Sequence, residues 1–135
     1  MVFFNWSDNL SVGVQSLDYQ HKKLIGILNE LYDAMKAGVT GDDLQSILSK
    51  LSEYTQTHFS EEEKVLLSQD YPDFESHHSQ HAEFINKIED LRRQLESGRT
   101  AISLDLGTFL KNWLSLHIMG TDKRYTAFLN ERGIR

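Results

Sequence analysis

The sequence predicts an all-α protein, an up-down-up-down antiparallel four-helix bundle with an irregular N-terminal arm. Three observations support this prediction. The 135 residues contain a single proline, so long helices are not interrupted. Apolar residues recur every three or four positions in four separate stretches, which is the period of a helix with one buried face. Short connections join the stretches, and short loops make consecutive helices antiparallel neighbours.

The chain begins with a stretch that has no helical period. Residues 1–16 therefore form the predicted arm, and Phe3, Phe4 and Trp6 are expected to hold it against the bundle. The bundle is predicted to occupy residues 17–135, so that arm and bundle make one domain. A chain of this length buries roughly two-thirds of the surface that its unfolded form exposes, which is enough for a stable core.

The first two predicted helices end at recognisable signals. The first carries apolar positions from Leu17 to Met35, and Gly38 is placed to end it. The second follows the letters TGDD and runs from Leu44 to Leu66. It ends at SQDYPD, because a proline within a polar cluster favours a turn.

The last two predicted helices follow the same pattern. The third runs from Phe74 to Leu95 and closes at Gly98. The fourth opens near Ser103, and its apolar positions continue to Leu129.

Composition excludes several classes of function. A net charge of -6, with no basic run beyond Lys123 and Arg124, argues against binding of nucleic acid. The absence of cysteine excludes disulfides and thiolate metal sites. No apolar run approaches the roughly 20 residues of a membrane span, and the first residues lack the features of a signal peptide. A cytoplasmic location without membrane insertion is therefore expected.

Five of the six histidines lie on the inward faces of the predicted helices. They are His21, His58, His77, His81 and His117. A single histidine on such a face is usually a hydrogen-bonded core residue. Burying five of them with Glu62 and no compensation would cost several kcal/mol each by rough transfer estimates, against a total stability of about 5 to 15 kcal/mol. The convergence therefore predicts a metal centre.

Spacing along the helices supports chelation. His58 and Glu62, like His77 and His81, are four residues apart and so point the same way, about 40° apart around the helix axis. His117 and Asp122 are five apart, about 140° on a regular helix. They can share a face only if a π-helical turn intervenes, which we predict there. A surface position for Asp122 remains an alternative.

The number of ligands indicates two ions. Five imidazoles and two carboxylates exceed what one ion needs, and they are too many for closed tetrahedral zinc. They suit two ions that share both carboxylates, in the mixed nitrogen and oxygen environment typical of non-haem iron. If a solvent-derived oxygen also bridges, the ion with three histidines has six ligands and the other has five. One coordination position would then be open to a small molecule.

Four segments resemble the hemerythrins, in particular the single-domain bacteriohemerythrins. The similar segments are WSDNLSVGVQSLDYQH (6–21), HFSEEE (58–63), YPDFESHHSQHAEF (71–84) and WLSLHIMGTDKRY (113–125). The resemblance implies a four-helix bundle with two iron ions, in an oxo- or hydroxo-bridged centre that binds dioxygen reversibly. It implies the following metal ligands: His77, His81 and His117 on the filled iron, His21 and His58 on the open iron, and Glu62 and Asp122 as bridges.

Residues near these positions are candidates for supporting roles. Phe59, Trp113, Leu114 and Ile118 would form an apolar dioxygen pocket, although ordinary core packing would explain each of them equally well. Gln20 and Tyr125 are candidates to orient ligands through hydrogen bonds. His78 has no ligand role in the family pattern and is expected to be partly exposed. Glu61 and Glu63 are expected to be solvated.

The resemblance implies a dioxygen carrier or store and not an enzyme. Ferritin-like di-iron oxidases and peroxidases use two Glu-x-x-His motifs plus two further glutamates, and this chain has one such string, from Glu75 to His78. A sensor of dioxygen or nitric oxide, excised from a signalling protein, is the main alternative. The resemblance identifies no protein partner, since an oxygen-consuming enzyme and a signalling protein are both compatible with it.

Overall fold

A computed structural model describes residues 3–39, 41–97 and 104–135. Within them the chain forms a four-helix bundle without strands, as predicted. The α-helices are α1 (Gln15–Lys36), α2 (Gly41–Ser68), α3 (Phe74–Glu96), α4 (Leu104–Leu116) and a short α5 (Thr126–Asn130). A 3-10 turn, Asp8–Leu10, precedes α1. Among the described helices, none is both long and apolar enough to cross a membrane.

Leucine packing and the predicted ligands occupy opposite ends of the bundle. Helix α1 packs on α2 and α4, and α2 packs on α3. Trp113 stacks on Phe84 with ring centroids 4.4 Å apart, which joins α4 to α3. The leucine end is built from side chains that are at most 1% exposed: Leu24, Leu28, Leu31, Leu44, Leu48, Leu51 and Leu91. Each stabilises the fold by about 1.5–3 kcal/mol, so this end supplies stability that the polar end does not.

Helices α1 and α2 both end in a Schellman motif. In α1 the N–H of Val39 donates to the carbonyl of Ala34 at 2.9 Å, with Gly38 at φ 80°. In α2 the N–H of Tyr71 donates to the carbonyl of Leu66 at 3.0 Å. The left-handed position there is Asp70, at φ 54°. These ends agree with the predicted stops. The predicted stop of the third helix at Gly98 and the predicted start of the fourth near Ser103 lie outside the described residues.

The N-terminal arm lies along α1. Phe4 exchanges two hydrogen bonds with the side chain of Asn29, each 2.8 Å long. The ring of Phe3 stacks on Tyr32 with centroids 3.7 Å apart. The ammonium of Lys22 lies 5.0 Å from the centre of the Trp6 ring.

The first helix begins at Gln15, two residues before its first predicted apolar position. Its N-cap is Val14, whose side chain cannot accept a hydrogen bond. Asp18, in the first turn, instead accepts hydrogen bonds from the arm: from the hydroxyl of Ser11 at 2.5 Å and the N–H of Val12 at 2.8 Å. A negative charge here also interacts favourably with the helix N-terminus.

The fourth helical stretch changes its geometry where the sequence predicts. After α4 the chain makes a π-helical turn, His117–Thr121, and then a 3-10 turn, Asp122–Tyr125, before α5. The N–H of Asp122 reaches the carbonyl of His117, five residues back, as well as that of Ile118. The predicted π turn is therefore confirmed.

Gly13 offers a test of how tightly the arm packs on α5. It has φ 73°, and a Cβ atom added there would lie 2.6 Å from Cγ2 of Thr126. We expect Gly13→Ala to lower the free energy of unfolding by about 1–3 kcal/mol, because the added Cβ overlaps Thr126 and the left-handed backbone conformation disfavours alanine. Urea denaturation of the metal-free protein measures this effect.

Gly26 provides the matched control. It is exposed within α1, and an added Cβ would meet no atom within 4 Å. Gly26→Ala should therefore raise the free energy of unfolding by about 0.5–1 kcal/mol, through helix propensity alone. Equal effects of the two substitutions would contradict the packing of the arm described above.

Candidate metal centre

The structure brings all seven predicted ligand residues together inside one end of the bundle. Each is at most 4% exposed. Helix α1 contributes one, α2 two, α3 two, and the stretch from the π turn to the 3-10 turn two. In that order they are His21, His58, Glu62, His77, His81, His117 and Asp122.

One group of donor atoms contains three histidines and both carboxylates. One donor atom from each of Glu62, His77, His81, His117 and Asp122 lies within 4.8 Å of all the others. Nε2 of His77 is 2.6 Å from Oε1 of Glu62 and 2.9 Å from Oδ1 of Asp122. Nε2 of His81 is 3.1 Å from the same glutamate oxygen. Nε2 of His117 is 3.0 Å from the same aspartate oxygen.

A second group contains two histidines and faces the other oxygen of each carboxylate. Nε2 of His21 and of His58 lie 3.5 and 3.6 Å from Oε2 of Glu62. Nε2 of His21 is also 3.2 Å from Oδ2 of Asp122. Each carboxylate thus presents one oxygen to two histidines of the first group and its other oxygen toward the second group. Two carboxylates that bridge two cations would be arranged in this way.

Asp122 reaches this position because of the π turn. The extra residue in that turn rotates the chain, so that Asp122 faces the bundle interior together with His117. The alternative of a surface aspartate is wrong, since Asp122 is 0% exposed.

Several donor atoms of the cluster lack hydrogen-bond partners among the described residues, and a bound cation would satisfy them. Within the described part of the chain, Nδ1 and Nε2 of His21 and both oxygens of Asp122 complete no hydrogen bond, although several donors and acceptors lie close by. A buried polar atom without a partner costs about 1–3 kcal/mol, more if it is charged. Atoms that converge without pairing are what a bound cation would satisfy. Nitrogen and oxygen donors without thiolate suit several transition metals, iron among them.

Comparison with known proteins shows the family. Residues 12–129 match the family described as "Hemerythrin HHE cation binding domain". The matched range contains all seven residues of the cluster.

The chain belongs to the hemerythrin family.

Similar proteins extend over almost the whole chain. A bacteriohemerythrin of Stenotrophomonas maltophilia (strain R551-3) is 32% identical, over 97% of this chain and 87% of that protein. A bacteriohemerythrin of Clostridium acetobutylicum is 30% identical, over 90% of this chain and 98% of that protein. The solved structure of wild-type hemerythrin superposes with a TM-score of 0.85 at 27% identity, covering 93% of this chain and 96% of the other.

The carboxylates of this hemerythrin centre hold protons on neighbouring histidines while no metal is bound. Burial lowers the pKa of His21 and of His77, but the adjacent carboxylates of Asp122 and Glu62 outweigh burial and raise these pKa values to about 10 and about 9. Burial dominates at His58 and lowers its pKa to about 4. Burial raises the pKa of Glu62, but the adjacent imidazoles of His21, His77 and His81 outweigh burial and hold this pKa well below its usual range.

Three of the histidines have a polar partner on the ring nitrogen that points away from the centre. Nδ1 of His58 is 2.6 Å from the amide oxygen of Gln20. Nδ1 of His117 is 3.0 Å from that of Gln80, which also accepts a hydrogen bond from the hydroxyl of Thr121. Such partners fix the orientation and tautomer of a metal-binding imidazole. Gln20 therefore lies where its predicted role requires it.

The third partner contradicts a prediction from sequence. Glu63 was expected to be solvated, yet its side chain is 15% exposed and Oε2 lies 2.9 Å from Nδ1 of His81. His78 also contacts Glu63, and its own side chain is 56% exposed, as expected for a residue outside the ligand group. Glu61 is exposed and accepts a hydrogen bond from Gln20.

Glu63, Gln80 and Thr121 were missed as partners because helical period assigns them to outer faces. A metal-binding imidazole usually donates its second ring N–H to a polar partner. That rule could have directed the search to polar residues near each predicted ligand. Tyr125, which was predicted, is buried and donates from its hydroxyl to Oε2 of Glu62 at 3.0 Å.

Aromatic rings cover part of the cluster. Phe59 stacks on His81 with centroids 3.7 Å apart and parallel planes, and it lies 5.6 Å from His58. Trp113 stacks on His117 at 4.7 Å. Trp113 is only half-buried, and it lines a surface groove of about 410 Å³. The other two predicted pocket residues are fully buried, Leu114 at 1% and Ile118 at 0% exposed.

The raised pKa values predict proton release when metal binds. At pH 7 His21 and His77 carry protons in the metal-free site, and a metal ligand must be deprotonated. Metal uptake should therefore release at least these two protons, and the affinity for metal should rise between pH 7 and 9. Calorimetric titration with Co²⁺ in buffers of different ionisation enthalpy measures the number released. Equal heats in all buffers would contradict the prediction.

Proposed function

We propose that the protein binds dioxygen reversibly at a di-iron centre and serves as an oxygen carrier or store. The observation that supports this most strongly is the position of Glu62 and Asp122. Each carboxylate turns one oxygen toward the group of three histidines and the other toward His21. Proteins of the hemerythrin family bind dioxygen at a di-iron site, and the donor atoms suit two ions that share these bridges.

The unequal histidine count gives the proposed place for dioxygen. His77, His81 and His117 would hold one iron, whereas His21 and His58 would hold the other. The second iron would then have one protein ligand fewer, which would leave room there for dioxygen. When bound, the two irons would supply the electrons for reversible binding of dioxygen.

The surrounding residues would keep the centre intact between cycles of binding and release. Phe59, Leu114 and Ile118 are at most 1% exposed, so they exclude water and exchangeable protons, which would promote irreversible oxidation. Tyr125 holds the bridging Glu62 through its hydroxyl, and Gln20 holds the ring of His58.

The donor set favours binding over oxidase chemistry. Ferritin-like oxidases surround their ions with four glutamates and two histidines. Here the two donor groups together contain five histidines and two carboxylates. Hemerythrins are typically oxygen binders and not enzymes, which agrees with this preference.

His77 and His78 are adjacent histidines that test the assignment. His77 is buried among the donors, whereas His78 is largely exposed. The wild type should hold two irons per chain, and its reduced form should gain charge-transfer bands in air that disappear again under argon. His77→Ala should lose iron and these bands, while His78→Ala should retain both. Iron analysis and visible spectroscopy measure the outcome, and full iron in His77→Ala would refute the assignment.

Ile118 and Ile88 test the role of the apolar wall. Both are 0% exposed, but Ile88 lies seven residues beyond His81, about 10 Å along α3 toward the leucine end. Ile118→Thr should speed conversion of the dioxygen-bound protein to its oxidised form about tenfold or more, because the hydroxyl admits water. Ile88→Thr should lower stability to a similar degree without this acceleration. Spectra recorded over hours give both rates, and equal rates would contradict the proposed wall.

A further inference from the structure

We propose that Glu63 is a positioning residue that strengthens His81 as a metal ligand and lowers the reduction potential of the centre. This inference rests on the proposed metal centre and concerns one contact that the sequence did not predict. Glu63 lies on α2, directly after the bridging residue Glu62, and His81 lies on α3.

The contact defines how His81 presents its two nitrogens. Oε2 of Glu63 lies 2.9 Å from Nδ1 of His81, so the ring donates its Nδ1–H to the carboxylate. Nε2 then keeps its lone pair, and this atom points at the cluster, 3.1 Å from Oε1 of Glu62. The hydrogen bond therefore selects the tautomer that can bind metal.

A second contact fixes the plane of the same ring. Phe59 stacks on His81 with an interplanar angle of 0°. Stacking holds the plane, and the hydrogen bond to Glu63 holds the rotation within that plane. His81 is thus oriented before metal arrives, which lowers the entropy lost on coordination.

His81 differs from the other four histidines in the charge of its partner. Gln20 and Gln80 give neutral amide oxygens to His58 and His117. Nδ1 of His21 and of His77 has no hydrogen-bond partner among the described residues. A carboxylate attracts the shared proton more strongly than an amide does, so Nε2 of His81 becomes more basic. A more basic ligand favours the more highly charged, ferric ion.

The carboxylate is itself held in place. Its other oxygen contacts Nδ1 of His78, whose ring stacks on Phe74 with centroids 5.9 Å apart. With a side chain 15% exposed, Glu63 is shielded enough for its charge to act on His81. The two histidines of α3 therefore hold one glutamate of α2 between them.

Two substitutions separate the charge from the hydrogen bond. Glu63→Gln keeps an oxygen that can accept from His81 but removes the charge, whereas Glu63→Ala removes both. Glu53→Gln is the matched control, because Glu53 is an exposed acid on the same helix. Two measurements are needed. The first is a titration of the metal-free proteins with Co²⁺, monitored by absorption spectroscopy. The second is the reduction potential of the iron-loaded proteins.

We expect Glu63→Ala to weaken binding of one of two Co²⁺ ions by 10- to 100-fold. Glu63→Gln should bind both ions more nearly as the wild type does, with the reduction potential shifted to more positive values. Glu53→Gln should match the wild type in both measurements. If both Glu63 variants had the same reduction potential and the same Co²⁺ affinities as the wild type, this inference would be wrong, whereas the proposed function would still stand. Failure of the wild type to bind two ions would instead overturn the proposed function.

Discussion

Two buried carboxylates, Glu62 and Asp122, are the constraint on which the rest of the structure depends. Both are 0% exposed, and such groups remain charged in a protein interior only if positive charge is close by. Without metal, protons on His21 and His77 supply that charge. Two cations would supply it more completely, because each carboxylate turns its oxygens toward both donor groups. The chemistry of the centre follows from this need for compensation.

The bundle tolerates so polar an interior because its two ends are specialised. The leucine end of α1, α2 and α3 is filled with apolar side chains, whereas seven positions of the ligand end hold histidines and carboxylates in place of apolar residues. The π turn at His117–Thr121 is a local departure from the most favourable helix geometry. This turn brings Asp122 into the interior, whereas a regular helix would point it elsewhere.

Contacts around the ligands divide into those that orient and those that exclude water. Gln20, Glu63 and Gln80 each hold one imidazole by its outer nitrogen, on three different helices. Phe59 and Trp113 cover the rings by stacking. Because α2 and α3 supply Glu63 and its two histidines, the same contacts that orient His81 also join those helices. A substitution at Glu63 would therefore affect both the orientation of His81 and the packing of α2 on α3.

The sequence by itself predicted the four helices and the π turn between His117 and Asp122, and the complete set of seven donors followed only with the resemblance to the hemerythrins. The helices, the pairs His58/Glu62 and His77/His81 and the π turn follow from spacing along one chain, since residues four apart share a helix face and residues five apart do not. Tertiary structure alone decided how the two carboxylates divide their oxygens and which residues hold the outer nitrogens. Helical period places Glu63 and Gln80 toward solvent, and only the approach of α2, α3 and the π turn brings them to His81 and His117. Such contacts depend on the distance between helices, which no spacing within one helix encodes.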